Sequence, residues 1–484
     1  MCGIVGYVGP KNAVPLLIEG LKRLEYRGYD SAGVAVLPAD GFLAVRKRVG
    51  RLSNLEEALE AAPIAGGLGI GHTRWATHGE PSEINSHPHL DGTGTIAVVH
   101  NGIIENYLSL RAELEAQGHV FKSQTDTEVI PHLIEEIRKG GGKTPAAAIR
   151  EALKRAQGAY ALGIVFRDEP GVFYAARCGS PLIIGVGEGE QYIASDVPAI
   201  LNRVKRVIYL NDGEVAELRP AGVILTKLDG TPVRPEIKTI NLRAEAAERA
   251  GFETFMLKEI HEQPRVLRTL LEAHVGKAGA VSLGEAEALL VAAAAGVQRV
   301  LILSCGTAYY AGMYGRLLIE RWTGIPCETD LGSEFRYRQP RLPERTLVIA
   351  VSQSGETADT LASVRLAREM GCQVLSICNV SGSSLLRESD AALLTQAGPE
   401  IGVASTKAFA AQLMAFALLA IRLGRLRGTL DAKRERELTA ELGRIPNGIH
   451  RVLERQDDIR EISQKYYECF NALYLGRRFN YPIA

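Results

Sequence analysis

The chain opens Met1-Cys-Gly-Ile-Val-Gly-Tyr-Val-Gly9. Ile4, Val5, Tyr7 and Val8 are β-branched or aromatic residues in a short apolar run bounded by glycine, which reads as a strand and not as a helix. Runs of the same texture recur up to about Thr239: DSAGVAVL, TIAVVHNG, AYALGIVF, PLIIGVG and RVIYLNDGEV. Two helical patterns interrupt them, at 13–24 and at 127–138, the second with Thr125 or Asp126 as its expected N-cap. Residues 2–239 are therefore expected to form one α+β unit, a sandwich of sheets with helices outside.

The texture then changes. The segment 240–251 is charged, alanine-rich and without a wide apolar stripe, and reads as a linker; 252–297 reads as helical. From 298 to about 430, strands alternate with helices. RVLILSCGT, TLVIAVSQSGET, QVLSICNV and AALLTQ are the strands; 308–323, 358–370 and the apolar STKAFAAQLMAFALLAIRLG are the helices. Continuous β-branched strands alternating with helices predict a parallel sheet covered on both faces. An internal echo follows. Asn471-Ala-Leu-Tyr-Leu-Gly-Arg-Arg repeats the pattern of Arg299-Val-Leu-Ile-Leu-Ser-Cys-Gly, so 455–484 reads as the start of a second, incomplete α/β unit whose strand covers 471–476.

Composition narrows the function classes. Over 484 residues, 46% are hydrophobic and 23% charged, as in ordinary globular protein. Lys plus Arg, 56, balances Asp plus Glu, 56, which argues against a nucleic-acid or acidic-membrane surface. The N-terminus lacks the basic start and long apolar run of a signal peptide. No membrane span is expected, and the apolar 409–421, which contains Gln412, reads as a buried helix. Seven cysteines without a CxxC spacing predict neither a disulfide framework nor a zinc knuckle, so a reducing cytoplasm is expected.

Cys2 follows the initiator directly, and its small side chain permits removal of Met1. The freed α-amino group, with a reference pKa of about 7.7–8.0 against about 8.5 for the thiol, can then take the thiol proton. MCGIVGYVG, RLEYRGYDSAG, GHTRWATHG, SHPH, HNGIIENY and TDTE occur in this order over the first 130 residues. Together they resemble the class II glutamine amidotransferase domain, across the whole first unit. The resemblance implies that Cys2 attacks the glutamine carboxamide and that Asn101 and Gly102 form the oxyanion hole. It implies that Arg74 pairs with the glutamine α-carboxylate, that Asp126 holds the α-ammonium, that Thr77 and His78 line the pocket, and that Trp75 gates ammonia passage. Other readings of neighbouring motifs are weaker. His87-Pro-His89 lacks a carboxylate or cysteine at a supporting metal spacing. Gly67-Leu-Gly69-Ile-Gly71 opens no helix and so makes no dinucleotide site, and Gly185-Val-Gly187-Glu-Gly189 reads as a hairpin turn.

In the second half, Ser352-Gln353-Ser354-Gly355-Glu356-Thr357 lies between a strand and a helix start, where hydroxyls and backbone N–H groups form an anion site. No GK[ST] follows, so a phosphate monoester suits it better than a nucleotide. With SCGTAYYA upstream and GVASTKAF downstream, it resembles the sugar isomerase (SIS) domain. That resemblance places Ser352, Gln353, Ser354 and Thr357 on the phosphate and Cys305, Gly306, Thr307, Val403 and Ser405 around the sugar; Ala308 stands where relatives commonly have serine. The two halves joined resemble the glutamine–fructose-6-phosphate aminotransferase family. This implies L-glutamine and D-fructose 6-phosphate as substrates, D-glucosamine 6-phosphate and L-glutamate as products, a homodimer at full length, no metal and no organic cofactor. The family's enolisation groups would fall after Ala484, so residues 1–484 are expected to carry out the glutamine half-reaction only. Two alternatives stay open: an amidophosphoribosyltransferase, which needs an acidic phosphoribosyl-pyrophosphate loop not found here, and a non-enzymatic phosphosugar sensor with a relic glutaminase.

Overall fold

The computed structural model describes residues 2–25, 29–76, 78–240 and 251–484. The chain divides into two compact units, Met1–Ala247 and Glu248–Ala484. Residues 241–250 of the expected linker lie outside the described residues.

The first unit contains an eight-stranded and a seven-stranded antiparallel sheet. Gly3–Val8 lies inside the first, between Leu68–Arg74 and Gln191–Ala194. In the second, Ile96–Ile104 pairs along its whole length with Gly158–Phe166. Alternate residues of a strand point to opposite faces, and both faces are used. Ile4 and Val8 join Val99, Val165, Phe173 and Leu218 in a core between the sheets. Val5 and Tyr7 pack outward on Leu17, Leu21 and Leu55 of two helices. Ile96 and Val98 pack outward on Leu133, Ile149 and Leu153 of two others. Each sheet is apolar on both sides, which is why the strands read as near-continuous hydrophobic runs.

The helix at Ala13–Lys22 starts at Asn12, whose side chain accepts the Val14 N–H at 3.3 Å. The helix expected at 127–138 runs over Val129–Lys139, and its cap is corrected: Glu128 occupies the N-cap position, without a side-chain bond to the helix. Asp126 instead accepts the Ile104 N–H at 2.8 Å, tying the helix start to the neighbouring strand. Helices at Leu52–Ala61, Tyr107–Ala116 and Pro145–Arg155 escaped the sequence reading. The last carried a legible signal, Thr144-Pro145, where Thr144 accepts the Ala147 N–H at 3.3 Å and proline sits in the first turn.

The second unit holds a five-stranded parallel sheet in the spatial order Cys327–Leu331, Arg299–Ser304, Thr346–Ser352, Gln373–Cys378, Ala391–Leu394. Val300, Ile302, Leu347, Ile349 and Val351 meet Ala311, Leu318, Phe416 and Leu418 on one face. Leu301, Leu303, Val348 and Ala350 meet Phe335, Leu361 and Val364 on the other. The edge strand Cys327–Leu331 was missed because Glu328 and Asp330 break its apolar run. Helix Lys407–Arg427 is long and apolar enough by length and composition to cross a membrane, yet 67% of its most apolar window is buried in this unit. The stretch 252–297 is two helices, Phe255–His274 and Glu287–Gly296, with a turn between them.

The strand expected at 471–476 is not formed. Leu473 and Leu475 are exposed. A lone strand has no partner for its N–H and C=O groups, and among the described residues none lies beside it. Helices Ala432–Leu453 and Gln456–Tyr466 precede it.

Candidate functional site

Cys2, directly before strand Gly3–Val8 of one sheet, meets Asn101 of strand Ile96–Ile104 in the other. Trp75 N–H donates to Cys2 Sγ at 3.1 Å, and Asn101 Nδ2 donates to the Cys2 carbonyl at 3.1 Å. Burial pushes the Cys2 thiol up, partly opposed by the Trp75 N–H, so at neutral pH it is a thiol needing a proton acceptor before it can attack. Asn101 is held from behind by His72, whose Nε2–H faces Asn101 Oδ1 at 2.9 Å and the His100 carbonyl at 3.0 Å. Both partners are acceptors, which fixes the proton on Nε2. Gly102 is exposed with φ +130, and a Cβ there would lie 2.0 Å from the Ala159 carbonyl. Only glycine fits that position of the strand.

Arg74 is 3% exposed. Its guanidinium donates to the carbonyls of His78, Gly79 (3.0 Å) and Glu80 (3.4 Å), with Asp30 Oδ1 at 3.8 Å. These bonds tie the 78–80 segment to the Arg74 strand. His78 Nδ1 stands 3.8 Å from Asp126 Oδ1, bringing two expected glutamine-binding residues together. Trp75 is 54% exposed. Thr77 lies outside the described residues. Sequence reading missed His72 and Asp30, whose carboxylate accepts the Ala76 N–H at 2.5 Å. Both sit inside quoted motifs, but their role depends on contacts across strands.

Four buried histidines underlie this corner. His100 N–H donates to His87 Nδ1 at 3.1 Å, and the Thr127 hydroxyl lies 2.9 Å from His100 Nδ1 and 3.4 Å from His87 Nε2. The His72 and His87 rings stack with centroids 4.1 Å apart. Burial pushes His72 down to about 3 and depresses His87, His89 and His100 as well. The unfolded chain then binds protons below pH about 6.5 that the folded one refuses. Stability is expected to be greatest above that pH and to fall as the pH drops toward 3, by about 1.4 kcal/mol per pH unit for each histidine kept neutral. Urea unfolding followed by circular dichroism at pH 7.5 and 5.5 measures this; equal stabilities would contradict it.

In the second unit the 352–357 loop follows the C-terminal end of the central strand. Ser352 Oγ accepts the Gly355 N–H at 3.0 Å and lies 3.0 Å from Thr357 Oγ1. Ser354 Oγ accepts the Glu356 N–H at 3.2 Å. Thr357 is the N-cap residue of Ala358–Glu369 without a side-chain bond to that helix, so its hydroxyl faces the loop. Glu356 turns away from the loop: its carboxylate accepts Ser384 N–H and O–H at 2.7 and 2.8 Å. This leaves a rim of three hydroxyls at a helix N-terminus. Gly355 has φ +67, and a Cβ there would lie 2.2 Å from Ser383 Oγ. Gly355→Ala is expected to strain this loop and lower the melting temperature of the second unit, as thermal unfolding would record.

Cys305 and Gly306 occupy the parallel turn after Arg299–Ser304, with Thr307 opening the next helix. Thr360 Oγ1 lies 3.8 Å from Cys305 Sγ, linking this turn to the first turn of helix Ala358–Glu369. Asn379 is a connector that sequence reading missed. Its N–H reaches the Gln353 carbonyl at 3.2 Å, and its side chain bonds Ala397 N–H and the Gly398 carbonyl, both at 2.7 Å. Val403 is 78% exposed. Ser405 donates to Glu400 Oε2 at 2.8 Å, at the entry to helix Lys407–Arg427.

Comparison with known proteins agrees with this division. The glutamine amidotransferase domain family model matches residues 72–202, and the SIS domain model matches 295–422. A glutamine–fructose-6-phosphate aminotransferase (isomerizing) of Symbiobacterium thermophilum is 50% identical over 485 residues, covering 100% of this chain and 79% of that protein. One from Thermus thermophilus is 49% identical with the same coverage. Among solved structures, the C-terminal domain of glucosamine-fructose-6-phosphate aminotransferase from Francisella tularensis shares 38% identity over 49% of this chain and 66% of that one, with a TM-score of 0.47. With half its residues matched to such relatives over its whole length, this chain belongs to the glutamine–fructose-6-phosphate aminotransferase (isomerizing) family.

Proposed function

We propose that the first unit hydrolyses L-glutamine at Cys2 and that the second binds D-fructose 6-phosphate at 352–357, the ammonia of the first reaction serving to aminate the sugar of the second. The observation that carries the reading is the pairing of Cys2 with Asn101: a nucleophile and an amide donor from different sheets, 3.1 Å apart at the Cys2 carbonyl. In this reading Cys2 adds to the carboxamide carbon and ammonia leaves. Water then cleaves the thioester to give glutamate. Asn101 and Gly102 stabilise the oxyanion, and Arg74, Trp75, Thr77, His78 and Asp126 orient glutamine.

Ser352, Gln353, Ser354 and Thr357 bind the phosphate in this proposal, with Cys305, Gly306, Thr307, Val403 and Ser405 around the sugar. Ser352→Ala and Thr357→Ala are each expected to weaken hexose 6-phosphate binding by about 1–3 kcal/mol, the scale of one hydrogen bond to a charged group. Calorimetry checks this, and equal binding of fructose and its 6-phosphate would overturn the loop assignment. Action in a reducing cytoplasm and a homodimer stay part of the proposal.

Glutamine and fructose 6-phosphate supplied together, with glutamate and amino sugar quantified separately, test the whole reading. Glutamate is the product expected of the first unit and amino sugar that of the coupled reaction, whose enolisation needs a positioned acid and base. Absence of glutamate would end the proposal for the first unit. Amino sugar in step with glutamate would place the acid and base within these residues.

A further inference from the structure

Away from Cys2, the first unit brings three metal-ligating side chains together. His132 and Glu135 lie one turn apart on one face of Val129–Lys139, and His119 comes from the segment after Tyr107–Ala116. His119 Nδ1 and His132 Nδ1 are 3.1 Å apart, and each is 3.4 Å from Glu135 Oε2. Three ligands on one face of a tetrahedron with metal–ligand bonds of 2.0–2.1 Å stand about 3.3 Å from one another. The triangle here has those dimensions. We propose that His119, His132 and Glu135 form a binding site for a divalent transition cation of the zinc class.

The surroundings fit such an ion. A metal-bound imidazole usually offers its other N–H to a carboxylate. His119 Nε2 lies 2.8 Å from Glu136 Oε2, and His132 Nε2 lies 3.7 Å from Glu128 Oε1. His132 is 1% exposed, and its Nε2 makes no closer bond. Glu128 is fixed in turn by the N–H groups of Lys122 and Ser123, at 2.9 and 2.6 Å, and Glu135 Oε2 by the Gly92 N–H at 2.9 Å. With both Nε2 atoms protonated toward carboxylates, the two Nδ1 lone pairs and a carboxylate oxygen converge on one point. That arrangement is repulsive unless a cation occupies it. A cavity of about 220 Å³, lined by Gly92, Glu128 and His132 among others, adjoins the cluster on the His132 side. The competing arrangement is a proton shared between the rings. Lys139, 3.1 Å from His119 Nε2, would then donate to that nitrogen and leave Nδ1–H facing His132.

The full chain, stripped with chelator and dialysed separately against Zn²⁺ and Co²⁺, tests this. About one equivalent of metal per chain is expected to be retained. The Co²⁺ form should show visible bands of a low-coordinate nitrogen–oxygen site and no thiolate charge-transfer band. His119→Gln and Glu135→Gln are each expected to lose at least about 100-fold in Zn²⁺ affinity, and Glu136→Gln about 10–100-fold, with circular dichroism recording that each variant is folded. No metal retained by the parent chain would favour the proton-shared pair and overturn the proposal. A thiolate band would move the metal to a cysteine and overturn it equally. Unchanged affinity in folded His119→Gln and Glu135→Gln would do the same. If neither variant folds, the parent's Co²⁺ spectrum still decides between nitrogen–oxygen and sulfur ligands.

Discussion

Replacing Cys2 with alanine is expected to lower glutamine hydrolysis by about 10⁶-fold, the scale for removing a covalent nucleophile, with hexose 6-phosphate binding unchanged. The thiol is raised by burial, so most of it is protonated at neutral pH and it needs a base. His72 is a poor one: burial holds it down to about 3, and its Nε2–H is committed to Asn101 and the His100 carbonyl. The α-amino group left after removal of Met1 has an ordinary pKa of about 7.7–8.0, close to working pH, and lies on the same residue as the thiol. Active protein should therefore begin at Cys2 on N-terminal sequencing. Full turnover by protein that retains Met1 would refute the α-amino base and leave the nucleophile assignment standing. Full turnover by Cys2→Ala would refute both.

Asn101→Ala is expected to lower kcat for glutamine hydrolysis by about 10²–10³-fold with a much smaller change in KM, the pattern of a lost oxyanion donor. Asn101 is 8% exposed, and its amide oxygen is fixed by His72. The Nδ2 that meets the Cys2 carbonyl is thereby held in direction, as the oxyanion role proposed for it requires. Because Asn101 also ties Cys2 to the neighbouring sheet, the melting temperature of the variant must be measured beside its kinetics. His72→Gln is the companion measurement. If Asn101 acts only by tethering Cys2, Asn101→Ala will lose stability and raise KM without the fall in kcat. If it acts on the oxyanion, His72→Gln will reproduce part of the kcat loss by releasing the amide.

The helices that were missed and those that were read differ in a physical way. Ala13–Lys22 has a capping Asn12 and an unbroken apolar stripe of Leu17, Ile18 and Leu21. Leu52–Ala61 buries only Leu52, Leu55 and Leu59, and its N-cap Arg51 makes no side-chain bond, so little in the sequence marks its start. Asp126 was read as a helix cap because Asp favours that position, yet a strand N–H from Ile104 captured it. The segment 471–476 has a strand's composition, but strand formation depends on a neighbour with free backbone groups.

By itself, the sequence determined the two-unit plan, the sheet-rich first half, the parallel second half and the motif residues Cys2, Arg74, Asn101, Ser352 and Thr357. Apolar period, turn residues and motif order are local properties, written within a few residues of one another. Only the tertiary structure decided that His72 supports Asn101, that Arg74 is engaged by the 78–80 carbonyls, that Asn379 links Gln353 to Ala397, and that His119 meets His132 and Glu135. Each of these joins separate strands, turns or helices, or depends on how a side chain is turned. Such contacts are set by sheet register and side-chain direction, and no spacing along the chain encodes a distance in space.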